Sequence, residues 1–443
     1  MDRPPLTQRL AYRLAQGTLR TLTPVLALGS SKFARTLDGR RSAHRELAGW
    51  GRKQRDSARP LAWFHAPSVG EGLQARSVLE ALRDRVGDDL QSVYTHFSPS
   101  AEGLAGSMPT DMAAYLPWDT PGPVRRTLDG VSPDVVAFTK TEVWPTLVAE
   151  ADRRGIPVAL VAATVPPGAG RLKPGARRFL GPTWSRLSLA AAIAEEDAAR
   201  LRELGVPEEA VVVTGDPGID SAARRARAAD PAEPWLAPFH ADPRPTLVAG
   251  STWPADEAVL LPALSRVREE VEDLRLVVAP HEPTHEAVEA LLDELRDRGW
   301  RSEVLGAVED SGAGGIDAIV VDRVGVLAHL YTVGMVAYVG GGFGEDGLHS
   351  VLEPAAAGLP VVFGPRHANA RAAGELAESG GGAAVEDVAG LARRLQEWVV
   401  EGEARDYAAH RALDYIHRHL GASSRTALLL EELIRRRRAA RGS

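Results

Sequence analysis

Short, nearly continuous apolar runs alternate with longer amphipathic segments from Leu61 onwards, and most of the runs are bounded by Gly or Pro. Runs of this kind are typical of parallel strands that are covered on both faces by helices. In the first half of the chain they are LAWFHA (61–66), DVVAFT (134–139), PVALVAAT (157–164), LAAAIA (189–194) and AVVVTG (210–215). The pattern predicts a doubly wound parallel sheet.

This alternation stops in a stretch rich in Pro, Ala and charge (216–245) and then resumes. The second series is TLVAGST (246–252), LRLVVAPH (274–281), DAIVVD (317–322), MVAYVGG (335–341) and LPVVFG (359–364). We therefore predict an α/β protein with two Rossmann-like domains that face each other across a cleft. The predicted division is a basic N-terminal segment (1–60), a first Rossmann-like domain (61–218), a linker (219–245) with at most one short helix, a second Rossmann-like domain (246–416), and a C-terminal helix (417–443) that ends in a solvated basic tail.

Charge is distributed unevenly along the 443 residues. Residues 1–60 contain 13 Lys/Arg and 4 Asp/Glu, which gives a net charge of +9. The whole chain has a net charge of −7, so the remaining residues carry −16. A basic arm beside an acidic body favours an anionic neighbour, either a membrane or a nucleic acid. The segment 10–29 mixes Leu and Val with Arg and is interrupted by Pro24, which suits a membrane interface or an ordinary amphipathic helix on the protein's own surface. This segment has too few consecutive apolar residues for a transmembrane helix, and it lacks the pattern of a signal peptide.

The richest candidate chemistry follows the strand MVAYV, where a glycine cluster precedes a predicted helix that begins near His349 or Ser350. Glycines before a helix N-terminus favour an anion, so Gly341 and Gly342 are candidates for binding a phosphate. Glu353, in the first turn, could accept hydrogen bonds from a ribose diol. The alternative is a flexible loop with a favourable helix-start carboxylate.

Two further strand ends belong to the same predicted sheet edge. Gly250, Ser251 and Thr252 end one strand, and His281 ends the next. The hydroxyls could donate to phosphate oxygens or simply cap the following helix. The glycine patterns fit neither a dehydrogenase fingerprint nor a P-loop. Without cysteine, a DxD triplet, HExxH or GxSxG, the sequence predicts no metal, no cofactor and no serine nucleophile.

The first half offers a different kind of strand end, SVGEG, with Ser68 and Gly70 beside Glu71. A carboxylate repels phosphate, so this helix start is a poor phosphate loop. Glu142, in TKTEVWP (139–145), also follows a strand. Two such acids suit a general base and a group that holds substrate hydroxyls, although either one alone is more typical of a cap or a salt bridge.

These motifs together resemble the 3-deoxy-D-manno-octulosonic acid (Kdo) transferases, over roughly residues 8 to 425. The resemblance is carried, in order, by HAPSVGE (65–71), YLPWDTPGPVRRTLDGVSPDVVAF (115–138), TEVWPTLVAE (141–150), VTGDPGID (213–220), GST (250–252) and GLHSVLEPAAAGLPVVFGP (347–365). The chain departs from the family at Lys140, where many relatives have an acid, and at GDPGID, which lacks the usual lysine. It also has His349-Ser350 for the usual His-Asn pair, and VAATVPPGAG (161–170) lacks a common Asn.

The resemblance implies a GT-B glycosyltransferase that moves Kdo from CMP-Kdo to a lipid A precursor, with inversion and without a metal, in lipopolysaccharide biosynthesis. It implies that Glu71 is the general base, that Glu142 is a second acidic site residue, and that Ser251, Thr252, His281, His349 and Glu353 lie on donor-side motifs. The N-terminal domain would take the acceptor near Ser68 and Gly70. The basic segment would then lie on the anionic cytoplasmic face of the inner membrane, bound peripherally or by a weak anchor, and no nucleic acid is expected as a partner. Two alternatives stay open: a GT-B enzyme for a UDP- or GDP-linked sugar, and a binding protein without turnover.

Overall fold

The computed structural model describes residues 31–442, and side chains from Ala34 onwards. The chain forms two compact units: the first ends at Ser221 and resumes at Gly421, and the second is Ala222–Leu420. Residues 1–30, with the interfacial segment predicted at 10–29, lie outside the described residues. Within the described part, no helix combines the length and the apolar character that crossing a membrane requires.

The first unit contains a seven-stranded parallel sheet in the order β3-β2-β1-β4-β5-β6-β7. Five strands confirm the predicted runs, whereas β2 and β3 were not predicted. The strands are β1 Leu61–His65, β2 Gln91–His96, β3 Met112–Tyr115, β4 Val135–Thr139, β5 Val158–Ala163, β6 Leu189–Ala192 and β7 Val211–Val213.

Helices cover both faces of this sheet, and two buried apolar clusters fill the layers between. The helices are α1 Ser31–Gln54, α2 Val69–Val86, α3 Glu102–Ser107, α4 Pro121–Val131, α5 Pro145–Asp152, α6 Pro174–Trp184, α7 Glu195–Glu203 and α8 Pro217–Ala228. The last of these continues into the second unit.

A second seven-stranded parallel sheet has the order β10-β11-β9-β8-β12-β13-β14. Its strands are β8 Thr246–Thr252, β9 Arg275–Pro280, β10 Ser302–Val304, β11 Ala318–Val320, β12 Val336–Val339, β13 Val361–Phe363 and β14 Gly382–Ala384. Its helices are α9 Ala237–Ala241, α10 Pro254–Arg268, α11 His285–Asp297, α12 Leu305–Ser311, α13 Leu327–Leu330, α14 Leu352–Ala356, α15 Arg371–Ser379, α16 Val388–Val400 and α17 Gly402–His419. All five predicted strands are confirmed, and β10 and β14 at the edges were not predicted. The predicted α/β class with two Rossmann-like sheets is therefore correct.

The basic tail is solvated only in part: Arg435 and Arg436 are exposed, as predicted, whereas two other arginines pair with a buried carboxylate. It belongs to α18, Ala422–Gly442, which packs on the first unit. Arg441 donates to the fully buried carboxylate of Asp134 at 3.0 Å, and Arg438 lies 3.4 Å from the same group. A buried carboxylate needs cationic partners, and the tail supplies them.

Two other local predictions also need correction. The stretch expected to connect the domains holds the long helix α8 and the short helix α9 rather than one short helix. The helix expected to begin near His349 or Ser350 begins at Leu352, because the chain before it forms a turn in which the amide of His349 donates to the carbonyl of Gly340 at 3.1 Å. The predicted domain boundaries themselves stay a prediction.

The strand order fixes where each unit offers a crevice. In the first sheet the order reverses between β1 and β4, and in the second between β8 and β12. Loops that leave adjacent strands in opposite directions open a crevice at the carboxyl ends of those strands. SVGEG and TKTEVWP follow β1 and β4, while GST and the glycine cluster follow β8 and β12. The candidate residues of each unit therefore meet at its switch point.

Candidate active site

Glu71 lies in the first turn of α2, directly after the switch-point strand β1. Ser68, the residue before the helix, donates from its hydroxyl to Oε2 of Glu71 at 2.5 Å. Within the described part of the chain, a Cβ at Gly70 would meet nothing within 4 Å, whereas one at Gly72 would collide with Leu104 at 2.4 Å and with the Tyr94 hydroxyl at 2.7 Å. The helix start is thus tightly packed on its inner side and open on the side of Gly70.

Two inner contacts hold this helix start in place. Burial and the nearby charge of Glu71 raise the pKa of Tyr94, so its phenol stays neutral beside the carboxylate. One turn on, Gln74 donates to Asp216 Oδ1 at 2.8 Å, and the amide of Gly218 donates to the same oxygen at 2.7 Å. The stretch VTGDPGID therefore supports the helix that carries Glu71.

Glu142 lies in the turn after β4, and the following helix α5 fixes this turn. Asp119 accepts hydrogen bonds from the amides of Thr146 and Leu147, both at 2.8 Å, and so binds two free N–H groups at the start of α5. Lys140 adopts φ of 60°, which is uncommon for a residue other than glycine and strains the turn. The carboxylate of Glu142 is thereby presented from a rigid loop.

His65, the last residue of β1, is the neighbour of Glu142 across the switch point. Its Nδ1 is 2.9 Å from the carbonyl of Thr95, which can only accept, so Nδ1 carries a proton and Nε2 faces Glu142. Nε2 and Oε2 of Glu142 are 3.9 Å apart, beyond hydrogen-bond distance. Burial acts to raise the pKa of Glu142, but His65, Trp144 and Arg40 outweigh it and leave this pKa below its ordinary value.

A buried carboxylate, Asp256, organises the glycine cluster of the second unit. Oδ2 accepts from the amides of Gly341 at 2.8 Å and Trp253 at 3.0 Å. Oδ1 accepts from the Tyr338 hydroxyl at 3.0 Å and the amide of Phe343 at 3.3 Å. Asp256 is fully buried. Its four donors lock the glycine turn to the first turn of α10.

Three aromatic rings lie side by side at this edge. The indole N–H of Trp253 donates to His349 Nε2 at 3.2 Å, and His281 stacks on both rings, with centroids 4.6 Å from Trp253 and 4.2 Å from His349. Burial, together with the neighbouring His281, lowers the pKa of His349 to about 4. His349 is therefore neutral at pH 7 with its proton on Nδ1, and this N–H is available as a donor.

The remaining donor-side candidates have diverse surroundings. Thr252 is buried and its hydroxyl donates to Glu257 at 2.8 Å, while Ser251 beside it adopts a left-handed φ of 55°. Gly250 lies so close to Tyr331 that an added Cβ would be 2.0 Å from the phenol oxygen. Close packing therefore requires glycine at this position.

The other three candidates lie on the turn and on α14. Gly342 packs against Gly364, where a Cβ would be 2.6 Å from the backbone amide, so this position too requires glycine. Ser350 is exposed beside His349. Glu353 pairs with Arg225 of α8 within the second unit. The structure thus brings the predicted donor-side residues to one sheet edge, and their roles stay predictions.

Sequence reasoning missed the residues that support this site from inside, above all Asp256 and Trp253. Asp256 lies three residues after Trp253, the residue that precedes α10. An acid at this position accepts a hydrogen bond from the backbone amide of the residue before the helix, and this spacing was the signal for Asp256 in the sequence. Across residues 31–442, no group of three or more His, Asp and Glu side chains is arranged to hold a metal ion.

Known proteins resemble this chain in sequence and in fold. The family model of the 3-deoxy-D-manno-octulosonic-acid transferases matches residues 42–221. The transferase of that name from Bordetella pertussis is 29% identical over 445 residues, which is 96% of this chain and 99% of that protein. The one from Rickettsia felis is 26% identical over 309 residues, 70% of this chain and 64% of that protein.

Solved structures match over most of the chain at low identity. UDP-GlcNAc 2-epimerase from Neisseria meningitidis, bound to UDP-GlcNAc, gives a TM-score of 0.57 at 14% identity, covering 85% of this chain and 100% of that one. A glycosyltransferase from Rickettsia africae gives 0.56 at 11% identity, covering 85% and 98%. At such identities the likeness shows the fold, two Rossmann-like domains of the GT-B type. The matching motifs, the family model and these relatives make the chain similar to the 3-deoxy-D-manno-octulosonic acid (Kdo) transferases, over residues 42–221 for the model and over 96% of the chain for the Bordetella protein.

Proposed function

We propose that this protein transfers Kdo from CMP-Kdo to a lipid A precursor in lipopolysaccharide biosynthesis, with Glu71 as the general base. The observation that carries the proposal is the acid at the open start of α2, bound by Ser68 and beside Gly70 at the switch point of the first sheet. The similarity to the Kdo transferases supplies the chemistry that such an acid would perform.

On the acceptor side, Glu71 takes the proton from a hydroxyl of the lipid, and the resulting oxygen attacks the anomeric carbon of Kdo. CMP leaves as that bond forms, so the configuration inverts. Positioning of the acceptor hydroxyl against the carboxylate of Glu71 supplies much of the rate. Glu142 is the second acid, suited to hold substrate hydroxyls.

On the donor side, two backbone amides of the glycine cluster already donate within the protein and are not available to bind the phosphate. The amide of Gly341 is bound to Asp256, and the amide of Gly340 donates to Gly250 at 2.9 Å. We therefore assign the contact with the departing CMP phosphate to the Nδ1–H of His349 and the exposed hydroxyl of Ser350. Neutral, preorganised donors of this kind stabilise the charge that develops on a leaving group.

Substitution of Glu71 tests the base assignment. Glu71→Gln keeps the size of the side chain and its contact with Ser68, and we expect transfer to stop while CMP binding persists. Near wild-type transfer by this variant would refute the assignment. Thermal shift with CMP, UDP and GDP tests the donor, because only the matching nucleotide should stabilise the protein strongly.

The basic N-terminal segment supports a peripheral position on the cytoplasmic face of the inner membrane. Its +9 balance attracts anionic lipid headgroups, and each basic residue near such a surface contributes about 1 kcal/mol. We expect the full-length protein to sediment with vesicles that contain anionic lipid, and the variant without residues 1–30, which keeps the docked helix α1, to stay in the supernatant. Equal sedimentation of both would contradict the membrane role.

A further inference from the structure

Helix α1 lies directly after the predicted membrane segment and is docked closely on the first unit. A Cβ at Gly51 would be 2.0 Å from the carbonyl oxygen of Gly130 in α4, and one at Gly130 would be 2.7 Å from the backbone of Ala48. At Gly39 a Cβ would lie 2.2 Å from the ring of Tyr115 in β3. Backbone contacts this close fix the position of α1 on the sheet.

Arg40 projects from this helix into the interior, where it is 3% exposed. Its guanidinium donates to the carbonyls of Leu116 at 3.1 Å and Pro117 at 3.3 Å. The same group lies over three aromatic rings, at 4.8 Å from Phe97, 4.5 Å from Trp118 and 5.1 Å from Trp144. Contacts between cations and aromatic faces are strongest when water is excluded, as it is here.

Trp144 connects this arginine to the candidate site. It follows Glu142 by two residues, precedes the first residue of α5, and packs edge-on against His65 with centroids 6.5 Å apart. Arg40 therefore contacts, through Trp144, the turn that presents Glu142. The charge of Arg40 also acts on Glu142 itself and favours its ionised form.

We propose that Arg40 is a positioning residue for Glu142: it fixes the turn through Trp144 and supplies a positive charge that faces the carboxylate. The other polar or charged groups that face Glu142 are His65 at the end of β1, Trp144 in its own turn, and Arg171, which donates to the carbonyl of Thr141. Helix α1 is in this way part of the acceptor half-site as well as the continuation of the basic segment. The role given to Glu142 in catalysis rests on the proposed function. The coupling between the side chains of Arg40 and Glu142 does not depend on it.

A double-substitution cycle on stability tests the coupling without any assay of activity. The melting temperature is measured at pH 7 for the wild type, Arg40→Gln, Glu142→Gln and the double variant. We expect the two substitutions to be non-additive, with Glu142→Gln changing the melting temperature less when Arg40 is absent. Arg41→Gln is the matched control, because Arg41 is exposed and pairs with Asp38 at 3.2 Å, and its effect should add to that of Glu142→Gln. Additive effects for Arg40 would overturn the proposal.

The pH dependence of transfer gives a second readout. Because Arg40 favours ionised Glu142, Arg40→Gln should move the acidic limb of the kcat/KM profile to higher pH. The lost support through Trp144 should in addition reduce kcat/KM at pH 7 about tenfold. Arg40→Lys keeps the charge and should keep the limb near its wild-type pH, with a smaller loss of rate. If Arg40→Gln does not fold, the lysine variant still decides, since a limb shifted in Arg40→Lys contradicts the charge role. An unshifted limb in Arg40→Gln also contradicts it. If Glu71→Gln abolishes transfer but the effects of Arg40→Gln and Glu142→Gln on the melting temperature are additive, the proposed function is supported and only the role of Arg40 is refuted.

Discussion

Replacing Asp256 by Asn should destabilise the second unit strongly, although the two side chains have nearly the same shape. The carboxylate receives four donors, two on each oxygen, at distances from 2.8 to 3.3 Å. An Asn can accept on its oxygen only, so its NH2 group would face two donors. The Tyr338 hydroxyl can rotate to accept, but a backbone amide cannot. With one or two buried groups left unpaired at about 1–3 kcal/mol each, we expect a loss of about 2–4 kcal/mol.

Urea unfolding, with calorimetry to separate the units, measures this loss. Asp387→Asn is the matched control in the same unit, since Asp387 accepts from the amide of Gly390 at 2.7 Å in an exposed position where Asn caps a helix equally well. CMP should also stabilise the Asp256→Asn protein less than the wild type, because the glycine turn is no longer fixed. An unfolding free energy within about 0.5 kcal/mol of the wild type, the usual range of neutral surface substitutions, would refute the accounting.

Three further substitutions test separate parts of the structure. Trp253→Phe removes the donor to His349 and should weaken CMP binding severalfold, about 1 kcal/mol for one hydrogen bond, as measured by calorimetric titration. Trp235→Phe, at an indole N–H that has no hydrogen-bond partner among residues 31–442, should leave CMP binding unchanged. Asp134→Asn weakens the buried contact with Arg438 and Arg441 and should cost about 3 kcal/mol, seen as a lower melting temperature and faster proteolysis within α18; intact protease resistance would contradict this. For Asp317, burial acts to raise the pKa, but Arg301 and Arg244 outweigh it and lower the pKa to about 2. The stabilisation is therefore present above the unfolded pKa of about 4 and lost as the pH falls through 2, so Asp317→Asn should be less stable than the wild type at pH 7, with the gap closing between pH 4 and 2. A gap that is independent of pH would contradict the ion pairs.

In the second sheet the five strands that the sequence predicts are the central ones, because a strand buried on both faces reads as a continuous apolar run. In the first sheet the predicted run AVVVTG is the edge strand β7, which is apolar although two of its valines are exposed. The strand QSVYTH was missed because its polar residues are buried with dedicated partners. Gln91 contacts Arg55 at 3.0 Å, and Thr95 accepts from the indole of Trp63 at 2.9 Å. The short edge strands β10 and β14 have too few apolar residues to be distinguished from turns.

The acids Glu71 and Glu142 could be found from sequence because a carboxylate directly after a strand stands out. Arg40 and Asp256 could not, because their importance depends on what surrounds them. An arginine in a basic helix resembles a surface residue until its burial among Phe97, Trp118 and Trp144 is known. The pairing of Arg438 and Arg441 in the basic tail was missed for the same reason, since Asp134 lies about three hundred residues away in the chain and composition does not reveal such a pairing.

The most direct test of the central claim is the mass of the lipid after incubation of the purified protein with CMP-Kdo and a tetra-acyl lipid A precursor. We predict that the wild-type protein adds one or more Kdo residues to the precursor without added metal ions. The Glu71→Gln variant should leave the precursor unchanged while still binding CMP. A precursor that keeps its mass with the wild-type protein, under conditions where CMP binds, would contradict the assignment as a Kdo transferase acting on this lipid.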